Sequence, residues 1–399
     1  MNGEKILVLN AGSSSLKFQL YDVGPGDTLS RRFKGLIGGI GTPHGRLQVV
    51  DGADATLADE RPNPARLADV ETAQALLGEW YLDHAGAPPS AVGHRVVHGG
   101  TEFTAPVRVD AAMLARLEAL TPLAPLHQPA NLAPIRSILA RRPDLPQVAC
   151  FDTSFHRSHG PLAERFAIPE ALYAQGVRRY GFHGLSYEYI AGHLADLDPS
   201  LPSARVVVLH LGSGMSACAL RDGKSVDSSM GFTALDGLPM GTRPGALDPG
   251  VVLYLAEQGM APAEIEHLLY HDCGLKGLSS ISGDVRDLLG SDAPAAKLAL
   301  DFLAYRAAGT IAQLGSALGG LDAVVFTAGV GENAAPIRAA IAERCAWLGL
   351  ALDPARNDAQ GPRISAEGSR VSAWVLPTNE ERMIARHTLD LLRGRKTAW

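Results

Sequence analysis

The chain has 399 residues, of which 46% are apolar and 20% charged, and its formal net charge is −6. Its length predicts two or three domains with large hydrophobic cores. The acidic balance argues against a broad nucleic-acid surface. The four cysteines are far apart with no CxxC pair, which is typical of reduced thiols in a cytoplasmic protein. We predict no secretory leader and no membrane partner.

Short runs rich in Val, Ile and Leu alternate with segments of helical periodicity, which predicts an α/β architecture. A stretch rich in Gly, Asp and Pro, Gly38–Pro64, predicts surface hairpins and loops. In chain order, the predicted strands are Ile6–Leu9, Val92–Val97, Val148–Phe151, Val206–Leu209, Ala323–Thr327 and Ala373–Leu376, and three predicted helices are Ala296–Leu318, Ala335–Leu348 and Glu380–Leu392.

One internal repeat stands out. Ile6–Asp22 and Val206–Asp222 align without a gap at an offset of 200, with identities at Leu9/Leu209, Gly12/Gly212, Ser13/Ser213, Leu20/Leu220 and Asp22/Asp222. Each copy reads as a strand, a turn of Gly and Ser, and a second strand. Two halves built on one plan explain this similarity, and chance likeness of two hairpins is the alternative.

The first of these turns, Asn10–Lys17, has the sequence NAGSSSLK. Gly allows close backbone approach, and successive N–H groups with Ser hydroxyls can cradle a phosphate. Lys17 would add a positive charge beside it, although a plain hairpin with a surface lysine fits equally well. The Walker and GxGxxG patterns are absent, so neither a P-loop nor a Rossmann site is expected. Thr327–Asn333, TAGVGEN, predicts another Gly-rich turn before a helix.

The segment HRVVHGG carries His94, Arg95 and His98. A strand here would place the two histidines on one face, but no HExxH motif accompanies them, so we do not expect zinc. Arg95 is suited to a planar carboxylate or phosphate, or to a structural salt bridge. Asp152 follows a strand, where ligand groups collect in α/β sheets. A helix cap or Asx-turn is the alternative for Asp152.

RRYGFHG and GTRPG place His183 and Arg243 next to glycines, which suits either neutralisation of a phosphoryl oxygen or loop support. In PTNEE, the spacing of Thr378 and Glu381 predicts a capping box. That leaves Glu380 available, although the helix dipole alone would also favour it. Asp152 and Glu380 would suffice for a magnesium ion if the fold brings them together.

Together, NAGSSSLK, GHRVVHGG, PLAPLHQP, FDTSFH, RRYGFHG, HLGSG, MGFTALDGLPMGTR, FTAGVGEN and PTNEE resemble, in set and order, the acetate and propionate kinase family. The resemblance spans nearly the whole chain. It implies the two-domain actin-like ATPase fold of acetate and sugar kinases, heat-shock chaperones and actin, with a duplicated βββαβαβα core. It also implies transfer of phosphate between ATP and a short carboxylate, with Mg²⁺ (or Mn²⁺) as the cofactor. A homodimer joined through the second domains is implied as well.

By this resemblance, residues 1–152 and 384–399 form the first domain and residues 153–383 the nucleotide-binding and dimerisation domain. The implied roles, position by position, are metal ligands at Asn10 and Glu380; catalytic groups at Asp152, His183 and Arg243; acyl-substrate contacts at Arg95, Val97, Leu126, Phe182 and Ala234; and nucleotide contacts at Lys17, His210, Leu211, Gly212, Ser213, Gly214, Asp284, Val285, Arg286, Gly329, Val330, Gly331, Glu332 and Asn333.

The chain departs from the family pattern at Ser213, where Asn is usual, and at Ala234, where Pro is common. The shorter serine is expected to loosen phosphate contacts, and the lost ring carbons to widen the acyl pocket. Thr101 replaces the usual Glu without a consequence we can derive. A carboxylic acid with a pKa of about 4–5 is already ionised at neutral pH. We therefore expect Asp152 to organise the metal and nucleophile rather than to act as a base. The competing interpretations are a propionate kinase, a non-metabolic actin-like ATPase, and a non-catalytic paralogue.

Overall fold

The computed structural model describes residues 3–12 and 14–395, and the chain forms two compact units. The first comprises Met1–Phe155 and Asn379–Trp399, and the second His156–Thr378. Ser13, which belongs to both the first turn and the repeat, lies outside the described residues.

The chain re-enters the first unit five residues earlier than the expected boundary at 384. The reason is local hydrogen bonding. The Tyr21 hydroxyl donates to the Asn379 side chain over 3.4 Å, and the Arg382 guanidinium donates to the Leu29 carbonyl over 3.3 Å. Residues 379–383 therefore belong structurally with the first unit.

The strands and α-helices have the following bounds. The strands are β1 Lys5–Ala11, β2 Ser15–Val23, β3 Leu29–Gly38, β4 Arg46–Asp51, β5 Thr56–Glu60, β6 Ala91–Val96, β7 Val107–Arg108, β8 Gln147–Phe151, β9 Val206–Leu211, β10 Met215–Arg221, β11 Lys224–Ser228, β12 Ala323–Thr327 and β13 Ser372–Val375. The helices are α1 Val70–Ala85, α2 Ala111–Glu118, α3 Gln128–Arg141, α4 Glu170–Ala174, α5 Gly184–Leu197, α6 Pro249–Glu257, α7 Pro262–His267, α8 Gly274–Ser279, α9 Val285–Leu289, α10 Pro294–Leu318, α11 Ala328–Asn333, α12 Ala335–Arg344, α13 Pro354–Asp358 and α14 Glu380–Leu392.

Each unit contains one mixed sheet. The strand order is β5-β4-β3-β2-β1-β6-β8-β7 in the first unit and β11-β10-β9-β12-β13 in the second. In both, three antiparallel strands in hairpin connection are followed by two parallel strands beside the first of them. The series β3-β2-β1-β6-β8 thus matches the whole second sheet, which confirms that the two halves share one plan.

The two repeated hairpins differ in the length of their turns. Ala11 pairs with Leu16 in the first hairpin, whereas Leu211 pairs with Met215 in the second. The second turn is therefore one residue shorter, and the ungapped alignment is wrong beyond it. By pairing, Leu20 corresponds to Ala219 rather than to Leu220, because Leu20 lies opposite Leu7 and Ala219 opposite Val207.

The core of the first unit explains why its central strands read as continuous apolar runs. Every residue of β1 is buried, as expected for a strand covered on both faces. On one face Trp80 of α1 packs edge-on against Phe33, with ring centroids 5.0 Å apart. On the other, α14 lies so close to β6 that a Cβ at Gly93 would meet the side chains of Ile384 and Thr388.

All six predicted strands and the three predicted helices are present, with small differences at their ends. The predicted helix Ala335–Leu348 ends as an α-helix at Arg344 and continues as a separate 3₁₀ turn, Ala346–Leu348. The predicted turn TAGVGEN is wrong in form, because Ala328–Asn333 is a short helix. No helix among residues 3–12 and 14–395 combines the length and apolarity that crossing a membrane requires.

A buried histidine in the first unit gives a testable pH dependence. Burial lowers the pKa of His94 to about 3, although its hydrogen bond to Gln147 opposes the shift. The unfolded chain takes up this proton near pH 6.5, whereas the folded chain does so only near pH 3. The free energy of unfolding should therefore fall as the pH drops from about 6.5 toward 3, by about 2 kcal/mol at pH 5 from this group.

The comparison variant is His94→Gln, which keeps a hydrogen-bonding side chain without the titration. Urea unfolding measures how much the free energy of unfolding falls between pH 7 and pH 5. That fall should be about 2 kcal/mol smaller in the variant than in the wild type. Equal differences in both proteins would contradict the buried neutral state of His94.

Candidate active site

In the first unit, the partly buried Arg95 and the buried Asp152 form a bidentate ion pair. Arg95 lies near the end of β6, and Asp152 follows the last residue of the neighbouring parallel strand β8. The Arg95 Nε and Nη2 atoms donate to the two carboxylate oxygens over 2.8 and 2.5 Å. The fork geometry is the strong form of such a pair. Asp152 is thus an ion-pair partner, and neither of the alternatives, a helix cap or an Asx-turn, describes its side chain.

Three more polar side chains surround this pair. The Arg95 Nη1 atom donates to Asn10 Oδ1 over 3.3 Å, and a Glu380 oxygen lies 3.9 Å from Arg95 Nε. Asn10 Nδ2 in turn donates to Glu381 over 3.5 Å. The structure therefore brings together Asn10, Arg95, Asp152 and Glu380, as the sequence suggested, and adds Glu381.

The charges of this cluster shift the pKa of its members. Burial raises the pKa of Glu380 to about 7, and the negative charges of Asp152 and Glu381 act in the same direction. Arg95 and Lys17 oppose that shift. For Arg95, burial alone would lower the pKa, but Asp152 and Glu380 outweigh it and raise the pKa. The cluster is therefore a site with a surplus of carboxylate.

The start of α14 corrects the predicted capping box. The N-cap is Asn379, whose side-chain oxygen accepts from the Arg382 N–H over 2.9 Å, and not Thr378. Glu381 is released from the capping role and accepts instead from Gln19 over 3.2 Å and from Asn10. Thr378 lies one residue before the cap, where its N–H donates to Glu332 over 3.2 Å.

The donor set of this cluster fits a magnesium ion. Asn10 offers an amide oxygen, and Glu380 and Asp152 offer carboxylates, which are the hard oxygen ligands that Mg²⁺ prefers. Over the described part of the chain, no three or more His, Cys, Asp or Glu residues are grouped in a way that could hold a metal. Mg²⁺ often needs only one or two carboxylates, because water and substrate phosphate complete its shell.

Lys17 and Val97, two other predicted residues of the first unit, lie at the same edge of the sheet. Lys17 is directly opposite Asn10 in the β1–β2 hairpin, and its side chain is exposed. Val97 is buried, and its N–H donates to Asn131 over 2.8 Å. Leu126 is 38% exposed, which by itself is ordinary for a leucine and leaves its acyl-substrate role a prediction.

The two histidines of HRVVHGG do not form a pair. β6 ends at Val96, so His98 lies beyond the strand and does not continue the face of His94. His94 bonds through Nε2 to Gln147 over 2.8 Å, whereas His98 Nδ1 accepts from the Gly100 N–H over 2.9 Å. The expectation of one shared face is therefore wrong.

In the second unit, the predicted nucleotide segments converge at the ends of two parallel strands. His210 on β9 lies opposite Thr327 on β12, so the turn after β9 and the helix α11 leave the same edge of the sheet. Gly331 packs tightly there, because an added Cβ would lie 3.4 Å from the Phe326 carbonyl carbon and 3.7 Å from Leu211. This edge collects Leu211, Gly212, Ser213, Gly214, Gly329, Val330, Gly331, Glu332 and Asn333.

His183 stands over the turn that follows β9. It precedes α5 in a left-handed backbone conformation, with φ of 57°, which is uncommon for a residue other than glycine. Its ring stacks on His210 with a centroid distance of 4.1 Å. A Cβ at Gly214 would lie 3.4 Å from His183 Nε2 and 3.8 Å from Arg243 Nη1, so both side chains expected at a phosphoryl group face this glycine.

Two further loops are in backbone contact beside this turn. A Cβ at Gly283 would lie 2.7 Å from the Gly241 carbonyl oxygen, and the Gly241 N–H points to the Ser213 carbonyl over 3.4 Å. Immediately after Gly283, Asp284 caps α9 and pairs with Arg286 over 2.6 Å. The GTRPG segment, the segment 284–286 and the turn after β9 are thus held together by backbone packing.

The other predicted positions of the second unit have mixed environments. Phe182 and Val285 are buried, and Ala234 is half-buried with its carbonyl accepting from Arg243 over 3.2 Å. Asn333 bonds to the Gly329 carbonyl over 2.9 Å, within its own helix. Val285 contributes its side chain to the core, so only its backbone is placed to contact a ligand.

Comparison with known proteins identifies relatives along almost the whole chain. The model of the acetokinase family matches residues 5–386. The chain belongs to the acetokinase family. An acetate kinase of Nitrobacter hamburgensis is 54% identical over 396 residues, covering 99% of this chain and 98% of the relative. An acetate kinase of Rhizobium meliloti is 52% identical, covering 98% of each.

Solved structures of the acetokinase family agree with this fold. A propionate kinase from Francisella tularensis superposes with a TM-score of 0.89 at 36% identity, covering 97% of this chain and 99% of its own. An acetate kinase from Porphyromonas gingivalis gives a TM-score of 0.85 at 34% identity, covering 98% and 100%. The resemblance drawn from the motifs and the actin-like ATPase fold it implied are therefore confirmed.

Sequence reasoning missed three side chains that support this site. Glu381 was assigned to a capping box because its spacing from Thr378 fits that motif. Tyr187 and Ser216 lie under His183 with fully buried side chains, and neither belongs to a quoted motif. A signal was available for Ser216 alone, as a polar residue in the apolar strand MSACALR.

The contact between Gly241 and Gly283 gives a second prediction. Gly283→Ala would force a methyl group against a backbone carbonyl, which cannot turn aside as a side chain can. We expect the two loops to separate and the KM for ATP to rise by on the order of tenfold, since overpacking costs about 1–3 kcal/mol.

Gly309→Ala is the matched control. Gly309 lies inside α10 with nothing within 4 Å of an added Cβ, so ATP binding should be unchanged. Steady-state kinetics of both variants decide the matter. An unchanged KM in Gly283→Ala would show that this loop contact does not shape the nucleotide site.

Proposed function

We propose that the protein is an acetate kinase, which reversibly transfers the γ-phosphoryl group of ATP to acetate to give acetyl phosphate and ADP. The observation that carries the proposal is the Arg95 guanidinium, fixed by Asp152 within a cluster of carboxylates at the end of the sheet. Three relatives named acetate kinases, each 50% or more identical to this chain, support the proposal. A propionate kinase with a similar structure keeps propionate as an alternative physiological substrate.

The donor count of Arg95 supports a carboxylate acceptor. A guanidinium has five N–H donors. In the hydrogen bonds of the described residues, Asp152 takes two and Asn10 takes one, which leaves one on each of Nη1 and Nη2. Those two donors form the end of the guanidinium fork, which matches the two oxygens of a carboxylate. Arg95 can therefore hold the acyl substrate without releasing Asp152.

Phosphoryl transfer depends mainly on positioning and on stabilisation of charge. Arg95 orients the carboxylate as nucleophile, and His183 and Arg243 donate to the oxygens of the transferring group. The glycine turn Gly212–Gly214 and the N-terminal end of α11 receive the nucleotide phosphates. The acceptor is ionised already at neutral pH, so no residue has to remove a proton from it.

Asn10 and Glu380 are the proposed Mg²⁺ ligands, with Asp152 beside them. When bound, the ion neutralises phosphate charge. The surplus of carboxylate in the cluster supports this assignment, as does the raised pKa of Glu380, which burial and two neighbouring carboxylates cause. Mn²⁺ has the same preference for oxygen ligands and is expected to substitute.

Asp152→Asn tests the organising role of Asp152. The amide keeps the shape of the side chain but removes the charge that fixes Arg95. We expect kcat to fall by more than about tenfold at saturating Mg²⁺, since one lost charge-assisted hydrogen bond is worth about 1.5–3 kcal/mol. Activity within tenfold of the wild type would reject this role.

Ala234 predicts a tolerant acyl pocket. The family commonly has proline there, so this chain lacks ring carbons in the pocket wall. One methylene is worth about 1–3 kcal/mol of discrimination in such a pocket. We expect kcat/KM for propionate within about tenfold of that for acetate, and a shift toward acetate of about tenfold in Ala234→Pro.

A coupled assay of ADP release with acetate, propionate and butyrate in parallel measures this preference and tests the function itself. A hundredfold preference of the wild type for acetate would reject the tolerant pocket. Absence of acyl-dependent ADP release with all three acids would reject the kinase assignment.

We infer a homodimer that uses the second unit. Leu298, Phe302 and Tyr305 share one face of α10 and are 59%, 37% and 65% exposed. A row of exposed apolar side chains on a helix is typical of a protein interface. Leu298→Glu should therefore yield monomers in analytical ultracentrifugation, whereas Leu162→Glu, at a leucine that is 92% exposed elsewhere in the unit, should not. Equal sedimentation of the two variants would contradict this interface.

A cytoplasmic location remains our inference from the state of the cysteines. Among the described residues, which include all four cysteines, none forms a disulfide. This pattern is typical of reducing compartments.

A further inference from the structure

The stacked imidazoles of His183 and His210 have matching surroundings. Each turns Nδ1 toward a serine hydroxyl, Ser216 for His183 over 2.8 Å and Ser186 for His210 over 2.9 Å. Each turns Nε2 toward the glycine turn, at 3.4 Å from the Cβ position of Gly214 or Gly212. If the proton of a neutral ring is on Nε2, the ring can donate a hydrogen bond to a phosphate in that turn. If the proton is on Nδ1, Nε2 can only accept one.

For His210, the hydroxyl network assigns the proton to Nδ1. The Ser186 hydroxyl donates to Thr378 Oγ1 over 2.9 Å. Having given its only hydrogen to Thr378, the Ser186 oxygen accepts from His210 Nδ1–H. A neutral imidazole with its proton on Nδ1 presents a lone pair at Nε2.

For His183, the corresponding network runs in the opposite direction. The Tyr187 hydroxyl contacts Ser216 Oγ, and both side chains are fully buried. A phenol is a stronger hydrogen-bond donor than an alcohol, so Tyr187 donates to Ser216. The Ser216 hydrogen is then directed to His183 Nδ1, which makes Nδ1 the acceptor and leaves the proton on Nε2.

We propose that Tyr187 and Ser216 are positioning residues that hold neutral His183 with its proton on Nε2, so that this atom donates to an oxygen of the transferring phosphoryl group. The proposal rests on the proposed role of His183 at that group. Neither Tyr187 nor Ser216 touches the substrate in this account. They act by fixing the tautomer and the ring of a residue that already sits in a left-handed backbone conformation.

The pairing of opposite tautomers also has an electrostatic reason. Ring centroids 4.1 Å apart are too close for two imidazolium charges, because like charges at this distance disfavour each other. A neutral donor at His183 beside a neutral acceptor at His210 avoids that repulsion. The neutral His183 ring then supplies a hydrogen bond to phosphate while neither ring of the stack carries a charge.

The direct test is long-range ¹H–¹⁵N correlation on the full-length protein labelled with ¹⁵N-histidine, in which protonated and bare ring nitrogens have well-separated shifts. His183→Gln and His210→Gln variants assign the signals. We expect the proton on Nε2 in His183 and on Nδ1 in His210 at neutral pH. In Ser216→Ala, His183 should become a mixture of tautomers. A proton on Nδ1 of His183 in the wild type would overturn the proposal.

Kinetics of Tyr187→Phe and Ser216→Ala supply the second readout. Each should lower kcat by about 10–100-fold, as for other partners that orient an imidazole. The KM values for ATP and acetate should stay within about threefold, because neither residue binds substrate. Ser216→Thr, which keeps the hydroxyl, should restore kcat. Loss of kcat in Ser216→Thr equal to that in Ser216→Ala would contradict a role for the hydroxyl.

Tyr81→Phe is the matched control, since it removes a buried phenol that donates to the Ala87 carbonyl over 3.0 Å in the first unit. Its kcat should equal that of the wild type. His183→Gln separates the two claims. If His183→Gln keeps full activity while the wild-type spectra show the proton of His183 on Nε2, the proposed role of His183 fails and the tautomer assignment stands.

Discussion

The ion pair between Arg95 and Asp152 is the constraint on which the first unit's site depends. Both residues lie at the ends of adjacent parallel strands, so the sheet itself sets their spacing. Burying two charges costs several kcal/mol, and apolar residues of the same size would often be as stable. The pair therefore serves geometry rather than stability. It fixes one side of a guanidinium and leaves the other side for a planar anion.

The duplicated hairpin produces two different devices from one plan. Asn10 and His210 occupy equivalent strand positions, the first beside a carboxylate cluster and the second beside a histidine stack. The turn after β9 is one residue shorter than its counterpart after β1. Ser213 lies in this shorter turn, with its carbonyl facing the Gly241 N–H. The two hairpins thus share a backbone plan but carry different functional side chains.

Much of the fold could be predicted from the sequence, because apolar strands such as Val206–Leu209 and periodic helices such as Ala296–Leu318 carry strong local signals. The helix α11 could not, because its two glycines are typical of a turn in the sequence, and the packing of Gly331 against Phe326 and Leu211 is visible only in the fold. The alignment of the repeats failed beyond the turn, because sequence identity does not record which residues pair across a hairpin.

The family resemblance predicted which residues form the site. The sequence did not predict their hydrogen-bond and ion-pair partners. Spacing predicted a cap from Thr378, whereas contact with Tyr21 and Arg382 selected Asn379. Ser216 and Tyr187 come from different elements, and only the fold brings them beneath His183. Ion pairs and hydrogen-bond networks of this kind depend on contacts between distant segments. A local sequence motif carries no information about those contacts.

In the proposed reaction, Arg95 presents its guanidinium fork to the carboxylate that accepts the phosphoryl group. The most direct measurement is ADP release from ATP with and without acetate, in the wild type and in Arg95→Lys, with acyl phosphate measured in parallel. We expect acetate-dependent ADP release, one acyl phosphate for each ADP, and a KM for acetate that rises at least about tenfold when the bidentate fork is lost. ADP release that continues without acetate, or that Arg95→Lys leaves unaltered, would contradict the proposed reaction.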